Sequence, residues 1–150
     1  MQLEIEVNVK RVGVQHVELP EYQTPGAAGL DLAANIATPL TIHPGARRPI
    51  PTGIAIQIPN RNIMGLVFAR SGLAARAGIN LANGVGVIDS DYIGEIICVL
   101  QNNGDQPYTV HPGDRIAQLV FVPLVVAKLR ETERLEATER GCGGFGSTGV

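Results

Sequence analysis

Gly84-Val85-Gly86-Val87-Ile88-Asp89-Ser90-Asp91-Tyr92-Ile93-Gly94-Glu95 opens as a glycine-rich apolar run and closes on acidic groups and a tyrosine. Glycines at 84, 86 and 94 suit a chain that turns tightly and lets another group approach its backbone. Asp89 directly follows Val87 and Ile88, two β-formers expected to bury their side chains. The plain reading is a β-hairpin whose aspartates cap the turn. The functional reading is a carboxylate at the end of a buried segment, where it can be aimed better than on a loose surface loop.

The flanking sequence has the same texture. Eighteen glycines and ten prolines punctuate short Val/Ile/Leu-rich runs over 150 residues. The expected strands are Leu3–Val9, Leu30–Ala33, Thr38–Ile42, Arg48–Ile50, Ile54–Ile58, Ile63–Phe68, Ile79–Leu81, Gly86–Ile88, Glu95–Gln101, Tyr108–Val110 and Arg115–Pro123. Many short strands parted by Pro, Gly and Asn turns describe an all-β sandwich, jelly roll or barrel. One short helix is expected over Ser71–Gly78, with Ser71 as cap and Gly78 as terminator. Thr41-Ile42-His43-Pro44-Gly45 recurs as Thr109-Val110-His111-Pro112-Gly113. Pro then Gly is what a type II turn asks for, so two hairpins turning alike are expected, with His43 and His111 as polar turn flanks.

Composition narrows the function. The length suits one domain with a sizeable core. A net charge of −2 and the lack of a basic tract argue against a general nucleic-acid or membrane binder. Aromatics at 4% leave no platform for stacking single strands. The chain's start alternates apolar and polar residues, a strand pattern and not a targeting helix. Two cysteines are too few for a disulfide scaffold; Cys98 reads as core, and a reducing, cytoplasmic setting is expected. The histidines and cysteines show no metal-ligand spacing.

Four more stretches can carry chemistry. Pro25-Gly26-Ala27-Ala28-Gly29-Leu30-Asp31-Leu32 sets an acid among small and apolar residues, as an exposed strand carboxylate or as a functional one needing partners. In Phe68-Ala69-Arg70-Ser71-Gly72-Leu73-Ala74 an arginine stands at the expected helix start, where it could serve an anion or simply flank a cap. In Gly113-Asp114-Arg115-Ile116-Ala117-Gln118, Arg115 and Gln118 have opposite parity, so a regular strand sends them to opposite faces. Asp114 and Arg115 read as a structural ion pair, while Gln118 needs a partner for its amide. Finally, Lys128–Arg140 is charged, and five of the last ten residues are glycine. This reads as a solvated linker and mobile tail, with 1–127 as the core. Phe145 has no local core to join, so it docks elsewhere or stacks on a flat ligand. The tail lacks the lysine of a Walker loop.

Taken in order, these five stretches resemble the trimeric dUTP diphosphatases, the dUTPase family. Ala28–Leu32, Arg70–Ala74, Asn83–Tyr92 with Gly94-Glu95, Gly113–Leu119 and Arg140–Gly149 carry the resemblance. Two positions depart from the family's usual pattern: Ala69 stands where proline is common, and Ile93 where arginine or glutamine is common. The resemblance implies a jelly-roll-like subunit in a homotrimer, with each site shared between subunits. It implies hydrolysis of dUTP to dUMP and pyrophosphate, with Mg²⁺ carried on the triphosphate and no direct protein ligand. Such an activity provides dUMP for thymidylate synthesis and keeps uracil out of DNA.

The resemblance also implies residue roles. Asp89 would deprotonate the attacking water, and Asp31 would act near metal-bound water. Asn83 would read the uracil edge, Tyr92 would pack on the deoxyribose, and Val87, Ile88 and the backbone near Ile97 would line that pocket. Arg70, Ser71, Gly72 and Gln118 would hold the phosphates. Phe145 would cover the base, and Arg140, Gly146, Ser147 and Thr148 the γ-phosphate. Two other readings compete: a dCTP deaminase on a similar fold, which needs a pocket glutamate, and a non-catalytic jelly-roll nucleotide-binding or assembly module.

Overall fold

A computed structural model describes residues 4–146. The chain is nearly all β, in two open four-stranded sheets and a two-stranded ribbon; none of the three closes into a barrel among the described residues. In one sheet, β1 (Asn8–Arg11), β4 (Arg47–Gln57), β8 (Glu95–Asn102) and β6 (Ile79–Leu81) lie in that order. The other orders β2 (Leu30–Ala33), β10 (Arg115–Pro123), β5 (Ile63–Ala69) and β7 (Gly86–Ile88). The ribbon joins β3 (Leu40–Ile42) and β9 (Tyr108–Val110). All these pairings are antiparallel. One apolar core draws on both sheets and the ribbon, with Ile42, Ile50, Leu100, Val110, Ile116 and Leu119 almost wholly buried.

Expected and observed strands agree to within a residue except at three places. The first strand begins at Asn8, not near residue 3, and Leu3 lies outside the described residues. The third begins at Leu40, not Thr38. The runs 48–50 and 54–58 fuse into one long β4 with a register shift between Pro51 and Ala55. Two prolines fit inside it because β1 covers only Ile54–Gln57, so the Arg47–Pro51 half has a strand on one side only.

The repeated Thr-x-His-Pro-Gly segments do not form two hairpins. β3 and β9 pair with each other, Thr41 opposite Thr109, with their hydroxyls 2.8 Å apart. Gly45 (φ 77°) and Gly113 (φ 81°) then turn each strand away into a main sheet. The Ala46 and Asp114 N–H groups close these turns onto the His43 and His111 carbonyls. Both histidines stay exposed, as turn flanks should.

Asn102 holds the neighbouring corner. Its side chain is fully buried and donates to the Ile42 carbonyl (2.9 Å) and the Gln106 carbonyl (2.8 Å), while Oδ1 accepts from Gly104 N–H (2.9 Å). Asn102→Leu would leave these groups unpaired, at roughly 1–3 kcal/mol each. We expect a loss of about 3 kcal/mol or more, read as a fall in the denaturation midpoint; an unchanged midpoint would mean the corner holds itself.

The helix α1 runs Ser71–Ala77. Ser71 is not its cap: Arg70 occupies that position, and no side chain caps the end. Gly78 does end it in the left-handed conformation, its N–H turned back onto Ala74. This helix is far too short to cross a membrane, and no other among the described residues does so.

Candidate active site

The stretch 84–95 is not a hairpin either. β7 pairs with β5 in one sheet, whereas β6 and β8 pair in the other. The chain therefore crosses from one sheet to the other at Asn83–Val85 and returns at Asp89–Gly94. β6 and β7 are the edge strands of their sheets, so the crossing frames the open mouth of the sandwich.

That mouth is a cleft lined by Asn83, Val87, Ile88, Asp89, Tyr92 and Ile97, together with Val67, Leu81, Gly86, Glu95, Ile96, Cys98 and Val99. Six residues singled out in the sequence thus share one wall. Ile88 is buried, but Val87 is not: it is 61% exposed, and Ile97 is 52% exposed. Their apolar faces are available to a ligand. Asp89 is exposed, and its carboxylate has no hydrogen-bond or ion-pair partner among the described residues. Tyr92 is held firmly. Its N–H donates to the Asp89 carbonyl (3.1 Å), and its Oη donates to the Glu95 carbonyl (2.9 Å). The ring lies across Gly94, where a Cβ would sit 2.6 Å from the tyrosine oxygen. Glu95 in turn accepts Gly53 N–H on Oε1 (2.8 Å), tying the crossing to the irregular turn of β4. Burial pushes the Cys98 thiol up to about 12, so it stays protonated and is no nucleophile.

A second cleft is lined by Asp31, Arg70, Ser71, Gly72 and Gln118, with Gln23, Thr24, Ala27, Ala28, Gly29 and Arg115. No residue lines both clefts. Asp31 is largely buried and is gripped by two guanidinium groups, Arg70 Nε at 3.3 Å from Oδ1 and Arg115 Nη1 at 3.0 Å from Oδ2. Arg70 also donates from Nη1 to the Arg115 carbonyl (3.2 Å). Gln118 donates from Nε2 to the Ala69 carbonyl (3.1 Å), and its Oε1 lies over Gly29, where a Cβ would be 2.8 Å away.

Arg115 corrects the sequence reading twice. It pairs with Asp31 and donates to Gln23 (3.0 Å), while Asp114 instead accepts the His111 N–H (2.8 Å) and sits beside its ring. It also shares a face with Gln118 despite their odd spacing. Arg115 lies opposite Ala33 and Gln118 opposite Asp31, and those two partners are two residues apart on β2. A bulge between Arg115 and Ala117 takes up the extra residue. Strand parity hid this arginine, and only the acid-arginine content of both stretches hinted at the contact.

Among the described residues, the tail lines neither cleft. No strand or helix is formed after Pro123 among the described residues. Arg140 donates from Nε to the Gly143 carbonyl (2.8 Å) in a local turn. Phe145 is wholly exposed with φ 49°, and Gly146 is exposed beside it. Ser147 and Thr148 lie outside the described residues.

Comparison with known proteins places this geometry. A family model described as dUTPase matches residues 15–149. The chain belongs to the dUTPase family. It is 56% identical over 133 residues to the deoxyuridine 5'-triphosphate nucleotidohydrolase of Desulfitobacterium hafniense (strain DSM 10664 / DCB-2), covering 89% of this chain and 88% of that one. It is 48% identical over 148 residues to the same-named protein of Glaesserella parasuis serovar 5, covering 99% and 97%. The fold matches the dUTPase of Staphylococcus bacteriophage 80alpha solved with dUPNHPP, at a TM-score of 0.87 and 26% identity, covering 97% and 99%. A jelly-roll-like dUTPase subunit is therefore the architecture. Among the described residues, the dUTPase motifs gather into two clefts that share no lining residue and a tail that lines neither.

Proposed function

We infer that this dUTPase-family chain hydrolyses dUTP to dUMP and pyrophosphate by attack of water on the α-phosphorus. The observation that carries this reading is the cleft at the sandwich mouth, where Asp89 stands unpaired beside an immobilised tyrosine and an asparagine. Asn83 and the backbone turn after it would bind the uracil edge. Val87, Ile88 and Ile97 would cover the base and sugar, and Tyr92, locked over Gly94, would leave no space for a 2′-hydroxyl. Asp89 would accept a proton from the attacking water as the new oxygen–phosphorus bond forms and the bond to pyrophosphate breaks. Gln118, Arg70, Ser71 and Gly72 would hold the phosphates, whose growing charge is best met by donors already in place.

In this scheme Mg²⁺ would come with the substrate. Both Asp31 oxygens are engaged by arginines. Among the described residues, no group of three or more His, Cys, Asp and Glu could hold a metal ion. An arginine-rich cleft suits phosphate oxygens, and Mg²⁺ bound there would neutralise part of the triphosphate charge. Asp31 would lie near the waters of that ion.

A homotrimer with shared sites completes the reading. The two clefts share no lining residue, and the segment after Pro123 leaves Val125, Leu129 and Leu135 about 90% exposed. Apolar side chains so bare on an extended arm are explained by a neighbouring copy that covers them. The arm would carry the tail to another subunit's site, where Phe145 would stack on the base and Arg140, Gly146, Ser147 and Thr148 would bind the γ-phosphate. The test is pyrophosphate release from dUTP, dTTP, dCTP and UTP, with and without Mg²⁺. Release from dUTP far above the other three is expected, with strong dependence on Mg²⁺. Ammonia release from dCTP, or dUTP binding without turnover, would replace this reading.

A further inference from the structure

Arg115 has no part in the scheme above, yet it lines the second cleft and touches Asp31. The charged residues lining that cleft are Asp31, Arg70 and Arg115, two cations and one anion. Arg70, the arginine assigned to phosphate, is already in contact with the Asp31 carboxylate. Alone, that pair would be close to neutral and would attract an anion weakly. Arg115 sits on the other carboxylate oxygen and leaves the trio with a net positive charge. It is also half exposed, so its charge is open to solvent and not sealed in a closed interior.

We propose that Arg115 is the residue that keeps the cleft cationic: it shares Asp31 with Arg70, so that Arg70 is held in place by the carboxylate without being neutralised by it. Asp31 then acts as a brace between two guanidinium groups, and Gln23 Oε1 accepts a second bond from the same Arg115 Nη1 that reaches Asp31. The bulge in β10 is what brings Arg115 to this face at all. The inference rests on the second cleft being the triphosphate site, and it adds a charge-balancing role there for a residue outside the phosphate-holding set.

The sign of this proposal can be read from binding alone. Affinity for the dUTP analogue dUpNHpp is measured on the full chain with EDTA present, which removes any metal-linked role of Asp31. Arg115→Ala is expected to weaken dUpNHpp binding about tenfold, in keeping with the loss of a charge-assisted contact, while dUMP binding changes less. Affinity in this variant should also fall less steeply with added salt. Arg115→Lys should retain most of the affinity. The decisive variant is the double one, Arg115→Ala with Asp31→Asn, which restores the net positive charge and is expected to bind dUpNHpp more tightly than Arg115→Ala. A double variant as weak as Arg115→Ala, or weaker, would overturn the proposal and leave Arg115 as a purely structural partner. Unchanged affinity in Arg115→Ala would also overturn it. If the unaltered chain itself fails to bind dUpNHpp, the triphosphate reading falls first and this one with it.

Discussion

Asp89→Asn is expected to lower dUTP turnover by roughly 10²–10⁴-fold, the usual worth of a positioned general base. The same variant should bind dUpNHpp and melt much as the unaltered chain does. The separation follows from the site. Asp89 is exposed and its carboxylate supports no other group among the described residues, so an amide of the same shape disturbs neither sheet. Its neighbours are held without it: Tyr92 is fixed by two backbone contacts, one of them to the Asp89 main chain and not to its side chain. What the amide lacks is a lone pair basic enough to take the proton from water. The loss should therefore fall on kcat with KM little changed, the pattern of an interaction made only in the transition state. Unimpaired turnover would remove Asp89 from the role of base.

Deleting residues 141–150 should leave a folded trimer with little activity. The core is untouched by the cut, because β10 ends at Pro123 and the described residues beyond it are almost all exposed. What would be lost, on the proposed reading, is Phe145 over the base, the γ-phosphate contacts and the cover over the site. Stacking is worth roughly 1–3 kcal/mol per base, so the stack and the lost anion contacts together should cost on the order of 10²-fold or more in kcat/KM. Closure of such a tail also excludes water, which strengthens each remaining polar contact. Phe145→Ala should show a smaller share of the same loss. Full activity in the truncated chain would show that the tail is no lid, and a truncated chain that is no longer trimeric by light scattering would show that it serves assembly instead.

Much of this protein is legible from short-range pattern. Runs such as Ile96–Leu100 alternate or saturate with β-branched residues, and the turns between them carry Pro-Gly pairs. Both signals act within a few residues, so strand positions and the all-β class follow directly. The helix stop at Gly78 is legible for the same reason. The helix start is not: Arg70, in extended backbone conformation, holds the cap position without a side-chain cap, and its guanidinium reaches Asp31, nearly forty positions away in the chain.

The second site shows the limit more sharply. Parity along β10 separates Arg115 from Gln118, and the separation holds for any regular strand. A single bulge reverses it, and bulges depend on the partner strand as much as on the bulged one. Val87 fails in a similar way: it has the chemistry of a core residue, but β7 is an edge strand over an open mouth, so its face has no second layer above it.

By itself, the sequence determined the class of fold, the positions of nearly all strands, the five motifs and the chemistry each could carry. It determined that 84–95 is a glycine-rich β segment ending on an acid and a tyrosine. Tertiary structure alone decided that this stretch spans two sheets and is not a hairpin, that Asp31 is braced by Arg70 and Arg115, and that the motifs fall into two separate clefts with a bare tail. These are pairings between residues distant along the chain. Local pattern sets which conformations are cheap, whereas pairing depends on which distant surfaces bury each other best.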